Sequence, residues 1–179
     1  MILPFNALLG STDVPAILRA RSWLATYDGR FGPVLDLTQA APPYPPAPEL
    51  LAKLAGAAAS PANSRYGAIR GEDDLRCTYA RQMSRSWGMQ VDAEEITITA
   101  GCNQAFFIMA MTLFERGDAV VLPTPWYFNH KMTLDMLGIE ALPLPCSPKA
   151  GLIPDPDAAA DLIDNRVKAI VLVTPNNPT

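Results

Sequence analysis

The chain has 179 residues, 49% of them hydrophobic and 18% charged, which predicts a soluble globular protein with a substantial core. Its formal net charge of -4 and the lack of any long basic run argue against a binder of nucleic acid or of anionic membranes. The apolar opening, MILPFNALLG, has no basic flank and is too short to cross a membrane. Cys77, Cys102 and Cys146 form no Cys-x-x-Cys pair and favour a reducing, cytoplasmic setting.

The first ninety residues are predicted to be mainly helical. The spacing of apolar residues predicts helices over 14–28, 47–60 and 72–88, the last opened by acidic residues and closed by a glycine. A short strand is expected to begin at residue 33 and to run into a proline-rich connector that ends at 48. A turn-rich loop precedes the third helix.

From residue 94 onwards, strands and helices are predicted to alternate. Strands are expected over 94–101, 118–125, 139–145 and 167–175, with helices over 102–117, 126–138 and 155–165. This rhythm is typical of α/β proteins, here a three-layer α/β/α domain with a mostly parallel sheet. Ligands of such sheets bind at the carboxyl ends of the strands, so the polar residues that follow strands are the first candidates for a site.

The segment ITAGCNQAF (98–106) leads from a predicted strand through Gly101 into the start of a helix. Backbone N–H groups and the positive end of the helix dipole make such a turn suited to phosphate, and Asn103 can add a side-chain amide. A tight turn alone also explains a single glycine at this position. Taken by itself, this segment is a weak signal for a phosphate site.

The segment PTPWYFNH (123–130) places two aromatic side chains directly after a buried strand. An aromatic ring at this edge of the sheet can lie flat against the planar ring of a cofactor, while the other member of the pair packs into the core, as we expect of Trp126. His130 is the only histidine and lies about one turn into the helix, where we interpret it as a polar supporting residue rather than a base. A single histidine, with no Cys-x-x-Cys grouping, argues against a zinc site.

Several common sites lack their sequence patterns in this chain. It contains no G-x-G-x-x-G, no P-loop pattern and no G-x-S-x-G, which argues against a dinucleotide fold, a P-loop nucleotide site and a serine hydrolase. The segment VLVTPNNPT (171–179) instead takes an apolar strand into a proline and asparagine turn, which can deliver polar groups to a site.

Five segments taken together resemble the N-terminal part of a fold-type I, pyridoxal-phosphate-dependent aminotransferase of class I/II, from about residue 30 to Thr179. Each motif is soft by itself, but their order is specific. The segments are LTQAAPPYPPAPEL (37–50), YGAIRGEDDLR (66–76), ITAGCNQAF (98–106), PTPWYFNH (123–130) and PNNPT (175–179).

The resemblance implies roles for individual residues toward pyridoxal 5'-phosphate. Gly101, Cys102 and Asn103 are expected to hold the cofactor phosphate. Tyr127 is expected to stack on the pyridine ring. Asn177 is expected to bind the ring hydroxyl oxygen and to help seat the substrate carboxylate.

Two further roles follow from the same resemblance. Tyr66 is expected to reach the cofactor phosphate of a second subunit, which implies a homodimer with shared sites. The main-chain N–H of Ala40 is expected to face the substrate carboxylate, at a position where the family usually has glycine.

The resemblance does not supply a catalytic lysine within this chain. Lys53, Lys131, Lys149 and Lys168 have no connection with the predicted site, so the lysine that forms an aldimine with the cofactor is expected beyond Thr179. In the implied domain organisation, residues 1–45 form an N-terminal arm and part of a smaller domain. Residues 46–179 form the first part of the large cofactor-binding domain.

The implied activity is transfer of an amino group between an amino acid and a 2-oxo acid, through a lysine aldimine and pyridoxamine phosphate. The same fold serves other reactions, so a pyridoxal-phosphate-dependent C–S β-lyase or another eliminating enzyme is the alternative. A cofactor-sensing domain of a transcription regulator and an inactive fragment rank lower.

Overall fold

A computed structural model of the chain describes residues 3–37 and 42–179. Contacts between residues divide the chain into two compact units. One unit combines residues up to 38 with residues 101–179, and the other comprises residues 39–100.

The helices and strands of the described residues alternate most regularly in the second half of the chain. The helices are α1 (Ala7–Ser11), α2 (Ala16–Ala25), α3 (Pro48–Ala59), α4 (Asp73–Trp87), α5 (Cys102–Leu113), α6 (Phe128–Leu137) and α7 (Pro156–Asp161). The strands are β1 (Ala119–Thr124), β2 (Glu140–Pro145) and β3 (Val167–Ile170). Short 3-10 turns lie at Pro61–Ser64, Ala93–Glu95 and Pro148–Ala150.

The sheet of the first unit is parallel and has the order β2-β1-β3. In the register of β1 and β2, Ala119 pairs with Glu140 and Thr124 with Pro145. Parallel neighbours require a crossover, and α6 and α7 provide the two crossovers of this sheet. The predicted α/β class with a parallel sheet is therefore confirmed.

The sheet carries helices on both faces because alternate residues of β1 point to opposite sides. Val120 and Leu122 pack in one buried cluster with Ala110 of α5 and Leu134 of α6. Val121 packs on the other face with Leu144 of β2 and Ala159 of α7. The first unit thus has three layers, as the alternation of strands and helices predicted.

The second unit is built on α3 and α4, and a buried arginine ties α4 to the turn that follows it. The Arg76 guanidinium donates hydrogen bonds to the Asp73 carboxylate (2.6 Å) and to the Ala93 carbonyl (2.8 Å). The hydrogen bond to Asp73 raises the pKa of Arg76 above its ordinary value, so this buried group stays charged. Gly88 closes α4 in the left-handed conformation, as predicted.

The strand predicted over 94–101 is wrong for this structure. Residues 93–95 form a 3-10 turn, and within the described part of the chain residues 96–101 are not assigned to a strand. The Ile98 N–H donates to the Arg70 carbonyl instead of to a strand. Alternating β-branched residues favour an extended backbone, but this local pattern does not by itself define a strand. Among the described residues 33–37, the predicted short strand is also absent.

None of the helices in the described ranges is long and apolar enough to pass through a lipid bilayer.

We expect Leu134→Ala to destabilise the protein strongly, because Leu134 is fully buried between α6 and the sheet. The cavity should lower the free energy of unfolding by about 2–5 kcal/mol in urea titrations. Leu35→Ala is the matched control, since Leu35 is 82% exposed, and should change it by less than about 0.5 kcal/mol. Equal losses in the two variants would contradict the assigned core.

Candidate functional site

The turns that follow β1 and β3 lie side by side at the carboxyl edge of the sheet. The Asn176 side-chain amide donates to the Pro125 carbonyl (3.3 Å) and to the Thr179 hydroxyl (2.6 Å). The Cys146 N–H, just after β2, donates to the Thr124 carbonyl (3.1 Å). All three strands therefore deliver their following residues to one place, as expected for a parallel sheet.

Tyr127 is half-buried and directly precedes the first residue of α6. Its hydroxyl oxygen accepts a hydrogen bond from the Asn129 side-chain amide at 2.8 Å. Its ring meets the His130 ring edge-to-face, with centroids 5.3 Å apart and planes at 86°. The neighbouring Trp126 packs against the core cluster of α5 and α6, in agreement with its predicted packing role.

His130 lies between two aromatic rings. Besides Tyr127, it contacts Phe106 of α5, with centroids 4.2 Å apart and planes tilted by 35°. Partial burial lowers the pKa of His130 below its ordinary value, because the charged imidazolium is more costly to desolvate than the neutral ring. His130 is therefore neutral near pH 7 and joins the start of α6 to α5.

The turn into α5 combines a glycine at positive φ with a helix start that has no side-chain cap. Gly101 has φ +89 and ψ 167, a conformation that favours glycine, and a Cβ atom built there would meet nothing within 4 Å. No side chain caps the start of the 12-residue helix α5. Cys102 and Asn103, in its first turn, are exposed. The turn thus leaves open space in front of a helix N-terminus.

Two cavities open at the carboxyl edge of the sheet, and Tyr127 lines both. The smaller, of about 550 Å³, is bounded by Ala16, Ile17 and Ala20 of α2, by residues 124–128, and by Asn177 and Pro178. The larger, of about 730 Å³, lies beside β3 and has a mostly apolar lining. Both volumes fall within the range of about 300–1,000 Å³ that is usual for small-molecule sites.

Two of the predicted site residues line one cavity, and a third lies in the other unit. Tyr127 and Asn177 line the same cavity, and Asn177 is exposed with no hydrogen bond from its side chain within the described part of the chain. Tyr66 is fully exposed in the loop between α3 and α4 of the other unit. Ala40 lies outside the described residues.

Two lysines of the first unit are engaged in ion pairs. The Lys131 ammonium lies 2.5 Å from Asp135, one turn further along α6. Lys168 pairs with Asp118 at 3.7 Å, at the amino end of the sheet and away from the candidate site. Residues 3–37 and 42–179 contain no group of three or more His, Cys, Asp or Glu side chains placed to hold a metal ion.

Sequence reasoning missed three features of the site. The hydrogen bond from Asn129 to Tyr127, the contact of Phe106 with His130 and the approach of α2 to the cavity were not predicted. The first two depend on side-chain geometry at the start of α6, and the third depends on a packing partner far away in sequence. The asparagine two residues after Tyr127 was the only local signal available.

We expect His130 to make stability depend on pH. Its pKa is lowered in the folded protein, so below the ordinary value of 6.5 the unfolded chain binds a proton that the folded protein resists. The free energy of unfolding should therefore fall as the pH drops below about 6.5. Above that pH, titration of His130 should no longer change the free energy of unfolding. Urea titrations at about pH 7.5 and about pH 5.5 measure how much the free energy of unfolding falls between these two pH values. This decrease should be smaller for His130→Gln than for the unsubstituted protein. Equal losses would contradict the lowered pKa.

Comparison with known proteins identifies the family. Residues 32–179 match the family model described as aminotransferase class I and II. The chain is 30% identical over 132 residues to a probable aspartate/prephenate aminotransferase of Thermus aquaticus, an alignment that covers 74% of this chain and 34% of that protein. It is 29% identical over 168 residues to the valine–pyruvate aminotransferase of Mycobacterium tuberculosis, covering 93% of this chain and 43% of that protein.

The fold is also that of solved structures. The crystal structure of the aspartate aminotransferase from Rhizobium meliloti superimposes with a TM-score of 0.87 and 22% identity, over 99% of this chain and 44% of that one. The chain thus spans less than half the length of the relatives it matches. From the family match over most of its residues, the chain belongs to the class I and II aminotransferases.

Proposed function

We propose that this chain supplies the phosphate turn and one ring face of a pyridoxal-phosphate site in an enzyme that moves an amino group between an amino acid and a 2-oxo acid. The observation that supports this proposal most directly is that Tyr127 and Asn177 line one cavity at the carboxyl ends of parallel strands. Membership of the class I and II aminotransferases supports the same activity.

The residues at this edge fit the chemical groups of the cofactor. Gly101, Cys102 and Asn103 would hold the phosphate, since the uncapped start of α5 can offer backbone N–H groups and its positive dipole end. The open space in front of Gly101 leaves room for such an anion. Tyr127 would cover one face of the pyridine ring. Asn177, whose amide has no partner among the described residues, would donate a hydrogen bond to the ring hydroxyl oxygen.

When bound, pyridoxal phosphate supplies the electron-withdrawing ring on which amino transfer depends. The chain's own part is binding and orientation. The phosphate turn would anchor one end of the cofactor, and Tyr127 would set the plane of the ring. The apolar walls contributed by α2 would limit water at the ring.

The substrate class follows from the same site. Asn177, and the main-chain N–H of Ala40, would contact the substrate carboxylate. An amide donor and a backbone N–H suit a carboxylate because both donate hydrogen bonds to its oxygens. An amino acid and a 2-oxo acid share this group, so one site would accept both.

The proposed homodimer is supported by exposed side chains in each unit. Tyr66 and Ile69 are fully exposed in one loop of the second unit, and Leu50, Leu51 and Leu54 of α3 are about half exposed. In the first unit, α5 exposes several large apolar side chains. Apolar surface of this kind marks protein–protein contact. Tyr66 would act in the site of the second subunit.

The remaining parts of the proposal concern organisation and location. Residues 1–45 would form an arm and part of a smaller domain, and residues 46–179 would begin the large domain. A cytoplasmic location is supported by the three cysteines, Cys77, Cys102 and Cys146, all of which are free.

The direct test is the intact mass of the native protein after borohydride treatment, which fixes lysine-bound cofactor as a stable pyridoxyl adduct. We expect one adduct per chain, and we expect Tyr127→Ala to lower its yield because the ring loses its stacking partner. Lys131→Arg should leave the yield unchanged, because Lys131 is paired with Asp135. Peptide mapping should find the adduct on none of the four lysines of this sequence.

The absence of an adduct, in protein supplied with excess pyridoxal phosphate, would overturn the proposed activity. Hydroxylamine treatment before borohydride is the chemical control, since it removes the cofactor and should abolish the adduct. An adduct that disappears in the Lys131→Arg protein would instead assign the reactive lysine to α6.

Hybrid dimers test the role of Tyr66 across the interface. Tyr66→Ala and Asn177→Ala should each abolish most of the activity. A hybrid dimer has one subunit with Tyr66→Ala and one with Asn177→Ala. If Tyr66 acts in the partner's site, one of the two sites has both native residues. If Tyr66 acts in its own subunit's site, neither site has both. Random mixing makes half of the dimers hybrid, so about a quarter of the unsubstituted activity should return. No recovery in hybrids confirmed by mass spectrometry would contradict the shared site.

A further inference from the structure

Tyr127 is held by two neighbours whose contacts restrain different motions of its ring. We propose that Asn129 and His130 are positioning residues that together fix the plane of the Tyr127 ring for the cofactor. This inference rests on the proposed function, in which Tyr127 stacks on the pyridine ring.

The Asn129 amide fixes the direction of the tyrosine side chain. It donates to the Tyr127 hydroxyl oxygen at 2.8 Å, and both residues are half-buried. The hydroxyl lies on the axis about which the ring rotates. A hydrogen bond at this atom therefore holds the axis in place but leaves the ring free to spin about it.

The His130 ring restrains that spin. It meets the Tyr127 ring edge-to-face at 86°, with centroids 5.3 Å apart, so rotation of the tyrosine ring would break the preferred geometry. His130 is itself held against Phe106, at 4.2 Å. Phe106 lies one turn after Asn103 on α5, so the same contacts connect the stacking ring to the helix that begins with the phosphate turn.

A double-mutant cycle tests the Asn129 contact. Tyr127→Phe and Asn129→Ala should each weaken the affinity for pyridoxal phosphate by about 3–10-fold, and the double variant should bind no more weakly than either. The visible circular dichroism of the bound cofactor, measured per bound molecule, should change in the same three proteins because the ring plane is no longer fixed. Asn165→Ala is the matched control, since Asn165 is exposed at the amino end of the sheet, and should change neither quantity.

Two substitutions of His130 test the ring contact. His130→Phe keeps an aromatic ring between Tyr127 and Phe106 and should retain the affinity and the dichroism. His130→Ala removes the ring and should weaken affinity by about 2–10-fold with altered dichroism. Circular dichroism in the far ultraviolet and thermal unfolding of the cofactor-free proteins establish that each variant is folded.

The possible outcomes separate the inference from the proposed function. If the unsubstituted protein binds no pyridoxal phosphate, the proposed function fails and the positioning role fails with it. If it binds the cofactor but Asn129→Ala and His130→Ala leave affinity and dichroism unchanged, only the positioning role is overturned. Additive losses in the double variant, or equal losses in His130→Phe and His130→Ala, would overturn the corresponding contact.

Discussion

The parallel pairing of β1 with both of its neighbours is the constraint on which the rest of the structure depends. Residues 119–122 of this strand are almost inaccessible, and β1 pairs in parallel with β2 on one side and β3 on the other. All three strands therefore end at one edge. Tyr127 and Asn177, which are 50 positions apart in sequence, line one cavity because each follows a strand of this sheet. The pairing of the sheet thus determines which side chains meet at this edge.

The sequence predicted the α/β alternation around this edge because the signals for it are local. The buried run of β1, the glycine at the start of α5 and the asparagines after β3 each follow from a few adjacent residues. The strand expected over 94–101 is not formed among the described residues, because alternation of β-branched residues favours an extended backbone but does not by itself define a strand. The contacts of Asn129 and Phe106 also escaped prediction, since they depend on how α6 leaves the sheet and packs against α5.

The burial of His130 has a consequence for the electrostatics of the site. An imidazole that lies between two aromatic rings and is partly removed from water remains neutral near pH 7, as its lowered pKa indicates. A neutral ring adds no positive charge beside Tyr127. A histidine charge therefore adds nothing to the binding of an anion beside Tyr127, and the start of α5 remains the proposed source of attraction for a phosphate. In the proposed site, the residues that position the Tyr127 ring would thus differ from those that attract the phosphate.

The tyrosine at position 127 and the asparagine at position 129 depend on each other. A half-buried phenolic hydroxyl needs a hydrogen-bond partner, because leaving it unsatisfied costs about 1–3 kcal/mol. The Asn129 side-chain amide, in the first turn of α6, donates this hydrogen bond to the Tyr127 hydroxyl oxygen. The start of α6 has no side-chain cap. A phenylalanine at 127 would need no such partner, but its direction would then be set by packing alone. The pair therefore joins an aromatic ring face to a polar anchor within three residues of the chain.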